Sequence, residues 1–358
     1  MRKRNAVRAA AAALAAMMAL TACGGGGGNE TTAAAGGDTG STAAGGDAAA
    51  SGSGEVGKTD ITVAMGADIV TLDPAGQQDT TTAVVIKHAY STLLDISDEG
   101  ELVPDLAESY ELVNDTDFVF KLREDAVWSD GTPVTANDVK FTFDRAKNMP
   151  KTKSNTSKVK EVVVDNEHQV TIKLTEPYAP FNTIVASSNL SIVQEAAVTA
   201  AGEAYGDADN IVTSGPFTVK EWVPNDHYTL EKNANYWGEE PITTSITVRV
   251  IPEGSARAIA LETGEVDLVW GVDPTDCSNI EANSDVKLLS QPSSSIEYLG
   301  MNMTKEHFKD QKVRQAINYA IDKQALVDTI VEGRGTVANS YINNTTVSYT
   351  HLRAHETE

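Results

Sequence analysis

The sequence predicts an α/β protein built on mixed sheets. Three observations carry that prediction. Apolar residues alternate at period two in pairs of segments separated by short polar turns, the mark of β-hairpins. Between them lie strand–helix units, in which period two gives way to helical spacing. The chain of 358 residues, 41% of them hydrophobic, is long enough for two or three domains with packed cores.

The elements follow in order from about Lys58. Ile61, Val63 and Met65 alternate as a strand, and Val85, Ala89, Thr92 and Leu93 repeat at helical spacing. Asn114-Asp115-Thr116-Asp117 is a turn before a strand carrying Phe118, Phe120 and Leu122. Asp130-Gly131 makes the next turn. Thr135 and Asp138 have capping-box spacing for a helix with Val139, Phe143 and Ala146 on one face, stopped by Pro150. Val162 and Val164 pair with Val170, Ile172 and Leu174 across Asp165-Asn166-Glu167-His168. Phe217 and Val219 with Tyr228 and Leu230 form another hairpin, and Ile246, Val248 and Val250 a further strand. Ser255 is expected to cap a helix ending at Gly264, ahead of a short buried strand from Val266 to Val269. Val313, Ile317, Ala320 and Ile321 define a late amphipathic helix, and Gly333 ends the helical pattern after it. Trp128, Trp222 and Trp237 read as core or hairpin anchors.

The N-terminus reads as an export segment. Arg2, Lys3, Arg4 and Arg8 precede an Ala/Leu/Met run from Ala9 to Leu20, followed by Leu20-Thr21-Ala22-Cys23. That apolar run is shorter than the ~20 residues a membrane-spanning helix requires. Leu-Thr-Ala-Cys resembles the bacterial lipobox, so residues 1–22 are expected to be a signal peptide and Cys23 the lipidated (palmitate-bearing) first residue. Residues 23–57 are rich in Gly, Ala, Ser and Thr and lack aromatics, the composition of a flexible tether. The formal net charge of −23 argues against nucleic acid or anionic lipid as a partner, since both need clustered Lys and Arg. With Cys23 taken, Cys277 stands alone, and the exported body must rely on its core rather than on a disulfide.

Several ordered motifs then resemble one family. Tyr90-Ser91-Thr92-Leu93-Leu94, Leu102-Val103-Pro104-Asp105-Leu106-Ala107 and Phe120-Lys121-Leu122-Arg123-Glu124-Asp125 precede Trp128-Ser129-Asp130-Gly131-Thr132-Pro133-Val134-Thr135-Ala136-Asn137-Asp138-Val139. Thr71-Leu72-Asp73-Pro74, Thr213-Ser214-Gly215-Pro216-Phe217, Tyr236-Trp237, Gly264-Glu265-Val266-Asp267 and Val313-Arg314-Gln315-Ala316-Ile317-Asn318-Tyr319-Ala320-Ile321-Asp322 fit the same pattern. Together, from about Thr59 to Asn343, they resemble the extracytoplasmic solute-binding proteins of ABC transporters, peptide/nickel class.

The resemblance implies a bilobal, class II periplasmic-binding-protein-like α/β fold with mixed sheets. Lobe I is expected at residues 58–287, with an inserted subdomain at about 82–185, and the hinge and start of lobe II at residues 288–346. Leu288 to Asn302 is expected to be the first crossing strand, and the ligand to be trapped by hinge closure. Peptides would bind as an added strand, with wet pockets for their side chains. Relatives run longer, and Val347–Glu358 does not resemble them. The family pattern is therefore expected to end near Thr346, with lobe II incomplete, the amine-gripping residue of peptide-binding relatives absent and residues 347–358 a non-native tail. By position after Leu72-Asp73-Pro74, Gln78 and Thr80 should border the cleft, and the loop around Asn155 should close over it. Ser293, Ser295 and Tyr298 are expected to face the ligand from the crossing strand.

The implied function is capture of peptides outside the cytoplasm and delivery to ABC permease subunits by a monomer, without catalysis, cofactor or nucleic acid. Nickel chelate, haem or oligosaccharide are alternative ligands for the same fold. A surface-tethered hydrolase is the alternative from another class. No Gly-x-Ser-x-Gly elbow stands in the sequence, and His88, His168, His227, His307, His351 and His355 have no metal-ligand spacing. Gly333-Arg334-Gly335-Thr336-Val337-Ala338 matches a dinucleotide fingerprint only formally, because it follows a helix rather than a strand.

Overall fold

A computed structural model describes residues 57–340, apart from Glu99, Pro292, Ser294 and Asn339. Cys23, nearly all of the tether, Asn343 and the 347–358 segment lie outside the described residues.

Strand β1 (Asp60–Met65) leads through an irregular loop and a 3-10 turn (Pro74–Gly76) to helix α1 (Thr80–Ala89). Asp79 caps α1 by accepting the Thr82 amide at 2.8 Å. The expected helix through Thr92 and Leu93 stops early. Tyr90 is extended, its amide closes on the Ile86 carbonyl at 2.8 Å, and the Asp105 carboxylate takes the Thr92 amide at 2.8 Å. Backbone bonds from Leu106 to Thr92 and from Ala107 to Leu93 then hold both residues in extended pairing. Their helical spacing is a coincidence of burial, not of helix geometry.

Strands β2 (Leu94–Ile96) and β3 (Leu102–Pro104) make a small hairpin. Strands β4 (Ala107–Asn114), β5 (Asp117–Leu122), β6 (Val159–Asn166) and β7 (Gln169–Leu174) form an antiparallel sheet in the order β4-β5-β7-β6. The expected hairpin register holds, with Val162 opposite Ile172 and Val164 opposite Val170. Helix α2 (Ala136–Ala146) packs on this sheet, and its capping box between Thr135 and Asp138 is formed. Phe118, Phe120, Leu122, Val139, Phe143, Ala146, Val170 and Ile172 are buried together with Trp128, which is fully enclosed. Each such large apolar side chain contributes roughly 1.5–3 kcal/mol by leaving water.

The chain continues through α3 (Phe181–Ile184) and α4 (Glu195–Ala201) to β8 (Phe217–Val223), β9 (His227–Lys232) and β10 (Ser245–Val250). Then come α5 (Gly254–Glu262), β11 (Leu268–Val269) and α6 (Pro274–Ala282). The second sheet runs β11-β1-β10-β9-β8, parallel where β1 meets β10 and β11 and antiparallel elsewhere. The four-stranded sheet is thus inserted in sequence between β1 and β8. Met65, Leu72, Val85, Ile86, Phe217, Tyr228 and Leu230 fill the core between the five-stranded sheet and α1.

Three further expectations need correction. Ser255 does not cap α5: the helix already starts at Gly254, Glu253 is in the cap position, and no side chain there accepts a hydrogen bond. The 266–269 strand is shorter than expected. Val266 is buried, but Leu268 is exposed because β11 is a sheet edge. Residues 288–302 form no strand among the described residues. Beyond them lie α7 (Glu306–Lys309), α8 (Gln311–Ala320) and α9 (Lys323–Ile330). The expected amphipathic helix exists as α8, yet none of its residues is buried.

Candidate functional site

Three loops meet at one edge of the inserted sheet and its helix. The first, residues 66–79, is shaped by Asp73. Its backbone amide donates to Thr71 Oγ1 at 3.1 Å, and its Oδ1 accepts the Ala75 amide at 3.1 Å, which caps the 3-10 turn. The same carboxylate takes both guanidinium nitrogens of Arg145, on the last turn of α2, at 2.8 and 2.6 Å. This fork is largely dehydrated, with the Asp73 and Arg145 side chains 6% and 19% exposed. Arg145 also lies over the Tyr205 ring, 5.5 Å from its centroid. Burial works against the Arg145 charge, but the hydrogen bonds and charge of Asp73 outweigh it and hold the guanidinium above its ordinary value. Burial raises the neighbouring Tyr90 and Tyr205 hydroxyls as well, and the two oxygens lie 3.3 Å apart. Gly206 sits against this knot: a Cβ there would come within 2.5 Å of Thr71 Oγ1, and its φ of +109° favours glycine.

The second loop, residues 147–158, follows α2. Thr152 and Thr156 point inward. Thr152 Oγ1 donates to the Ala146 carbonyl at 2.7 Å, and Thr156 Oγ1 to the Thr152 carbonyl at 3.2 Å. Both threonines are buried, so the loop is pinned at two points. The third loop, residues 187–191, contains a short 3-10 turn.

Amide side chains stitch the three loops together. Gln77, itself buried, donates through Nε2 to Ser188 Oγ at 3.3 Å. Gln78 donates through Nε2 to the Lys151 carbonyl. Asn155 donates through Nδ2 to Asn189 Oδ1 at 3.2 Å. Amides are suited to this role because each offers both donors and an acceptor without a charge to desolvate.

The candidate residues named from sequence are distributed unevenly. Gln78 and Asn155 both fall on this rim, Gln78 exposed and Asn155 half-buried. Thr80 is the first residue of α1, beside it in sequence and exposed. Ser293, Ser295 and Tyr298 lie in an irregular, exposed segment, with Tyr298 66% exposed. The expected crossing strand is therefore corrected. Strict alternation would in any case place Tyr298 opposite to Ser293 and Ser295, because odd and even positions face apart. Sequence reasoning missed Gln77, Arg145, Ser188 and Asn189. The Arg145 signal was present in the helical phase: Thr142 and Asp138, three and seven positions earlier on the same stripe, are both buried.

Nearby, a cavity of about 50 Å³ is lined by Lys87, Tyr90, Thr92, Asp95, Asp105 and Ser191. It has room for a water or two, not for a tripeptide. Among the described residues, no group of three His, Cys, Asp or Glu could hold a metal ion. Cys277 is buried, and desolvation raises its thiol. No helix among them is long and apolar enough to cross a membrane.

Residues 101–356 match the family model described as bacterial extracellular solute-binding proteins, family 5, middle, a match that runs past the expected end of the family pattern near Thr346 and into the 347–358 segment. The chain is 32% identical over 288 residues to the glutathione-binding protein GsiB of Shigella dysenteriae, covering 79% of this chain and 56% of that protein. GsiB of Escherichia coli K12 gives the same identity and coverage. The chain thus spans little more than half the length of these curated relatives. Among solved structures, the periplasmic binding protein DppA of Helicobacter pylori, in complex with the peptide STSA, superposes with a TM-score of 0.75 at 26% identity, covering 81% of this chain and 61% of that one. NikA of Brucella suis, in complex with Fe(III)-EDTA, does so with a TM-score of 0.70 at 27% identity, covering 80% and 59%. The fold is that of the class II periplasmic binding proteins, α/β with mixed sheets, and the chain belongs to the family 5 bacterial extracellular solute-binding proteins.

Proposed function

We propose that this chain captures a short peptide or peptide-like solute outside the cytoplasm and presents it to the permease of an ABC importer. The single observation that carries the peptide reading is the similarity to a peptide-bound relative, with a TM-score of 0.75 over 81% of the chain. The glutathione-binding relatives point the same way, since glutathione is itself a tripeptide. In this reading Gln78, Thr80 and Asn155 border the ligand on lobe I (residues 58–287). Ser293, Ser295 and Tyr298 approach it from the hinge-side segment that opens residues 288–346. Extended exposed chain there suits a hinge, because few buried contacts oppose its φ/ψ changes. The protein acts as a monomer and leaves its ligand chemically unchanged.

The test is calorimetry and thermal melting of the full chain with glutathione and with the Ser-Thr-Ser-Ala tetrapeptide, followed by mass spectrometry of the recovered ligand. Binding at one hundred times Kd should stabilise the fold by about 2.7 kcal/mol. The ligand should return intact. Gln78→Ala, Asn155→Ala and Tyr298→Ala should each weaken binding, and Tyr298→Ala should leave the ligand-free melting temperature nearly unchanged. Absence of any shift with both probes, or cleavage of either, would overturn the reading. Fe(III)-EDTA or nickel–histidine binding in place of peptide would move the ligand to a metal chelate.

The membrane attachment belongs to the same proposal. Leu20-Thr21-Ala22-Cys23 supports lipidation of Cys23, with residues 1–22 removed and residues 24–57 as the leash. Cys23→Ser should move the protein from the detergent phase to the aqueous phase, or leave uncleaved precursor. Equal partitioning of variant and wild type would end the lipoprotein reading.

A further inference from the structure

Among the described residues the acidic chain carries a basic island that reaches the rim of the candidate site. Residues 140–160 hold seven of the 28 lysines and arginines, with Asp144 as their only acid, in a protein of net charge −23. Four of the seven are already matched. Lys140 and Lys147 pair with Asp144, Arg145 with Asp73, and Lys158 with Glu176. Lys151 and Lys153 are exposed and form no ion pair among the described residues. Lys151 stands on the rim itself, because its carbonyl accepts the Gln78 amide, and Lys153 follows two residues on.

The loop presents these two lysines by construction. Thr152 lies between them and is fully buried, hydrogen-bonded to the Ala146 carbonyl. The Thr152 and Lys153 amides both return to the Met149 carbonyl, at 3.2 and 2.9 Å. Burying the middle residue of Lys-Thr-Lys turns the flanking residues outward, so both ammonium groups stand in solvent on a pinned backbone. Two unmatched charges on a pinned loop cost little further ordering when they meet an anion, and the surrounding acidity sharpens the local positive field. An anionic membrane surface is a poorer match. Polybasic attachment uses four to eight clustered basic residues, and here two at the rim lack an ion pair among the described residues, within a strongly acidic molecule.

We propose that Lys151 and Lys153 receive the carboxylate end of the ligand, making this loop a selector for peptides with a free C-terminus. The proposal rests on the peptide-binding reading above and refines it. Their role is to steer and to discriminate charge, and it is strongest at low ionic strength.

The test uses the full chain, wild type and the Lys151→Gln/Lys153→Gln double variant. The probes are the Ser-Thr-Ser-Ala tetrapeptide, its C-terminal amide and glutathione, followed by stopped-flow and calorimetry. The double variant should associate on the order of tenfold more slowly with the free-acid peptide and with glutathione at low salt, and near wild-type rate with the amide. The difference should shrink in 0.5 M salt, and Lys151→Arg/Lys153→Arg should restore it. The melting temperature should stay unchanged, since both side chains are exposed. Equal loss for acid and amide, or no loss for either, would overturn the carboxylate assignment and leave peptide binding standing. Wild-type protein that binds none of the three probes would overturn the peptide reading and this refinement with it.

Discussion

Helices α2 and α8 begin from the same kind of sequence and end in different environments. Both are amphipathic, with Val139, Phe143 and Ala146 on one face of α2 and Val313 and Ile317 on one face of α8. In α2 those residues are buried against the four-stranded sheet. In α8 no residue is buried, and Tyr319 is 89% exposed. The contrast extends to whole regions. From β1 to α6, apolar side chains interlock in continuous cores; from residue 283 to 340 the described chain is mostly exposed. Periodicity therefore reports which face of a helix is apolar, and only a neighbouring element decides whether that face is out of water.

The largest effects should fall on the buried side. Phe143→Ala should cost about 3–5 kcal/mol, because it removes a fully buried ring and leaves a cavity. Ile317→Ala should cost under about 1 kcal/mol, since the side chain is only half-covered. Denaturant melts of the two variants measure both. Equal losses would break the contrast and show that α8 packs more tightly than its exposure implies.

The Asp73–Arg145 fork sharpens the same contrast for polar groups. Arg145→Ala leaves a buried carboxylate unpaired, which costs roughly 3–5 kcal/mol in enclosed pairs. The fifth of the Arg145 side chain that meets solvent puts the loss near the low end. The double variant Asp73→Ala/Arg145→Ala should recover part of it, because no isolated charge remains. By contrast, Arg334→Ala, which breaks the exposed fork to Glu281, should leave the denaturation midpoint nearly unchanged, because solvent screens an exposed pair. A double-mutant cycle that gives both forks the same coupling would contradict the role of burial.

The smallest effect is expected at His227, on the β8–β9 hairpin. A hydrogen bond to Asp226 at 2.8 Å raises its pKa most, and Glu221 at 3.5 Å adds to the effect against the opposing desolvation. A raised histidine stabilises the fold fully below its ordinary value of 6.5, and that contribution is lost as pH rises through the raised folded-state value. Wild type should therefore exceed His227→Gln in melting temperature at pH 5.5, with the gap closing by pH 8.5. A gap that grows with pH would reverse the assignment.

Much of the architecture was legible where one local rule decided it. The capping box at Thr135 and Asp138, the 162–174 hairpin register and the Phe118–Leu122 strand all depend on neighbours within a few residues. Errors came where a distant partner intervened. Thr92 and Leu93 obey helical spacing, but Asp105 and Leu106 draw them into extended pairing. Residues 288–302, expected to cross between lobes as a strand, pair with no strand among the described residues. At the candidate site, Gln78 was named from its position after Leu72-Asp73-Pro74, and Asn155 from the loop that follows the Phe143 helix. Their tethers at Lys151 and Asn189 were not, because those contacts cross 73 and 34 residues.

The amino-acid sequence by itself determined the net acidity, the alternation of strands and helices, and the family motifs, because composition, period and capping act locally. Only the tertiary structure decided that Arg145 locks Asp73, that three loops share one rim, and that two lysines there have no acidic partner among the described residues. Pairing and desolvation depend on which atoms lie within a few ångströms, and the folded chain alone brings residues so far apart in sequence to that distance.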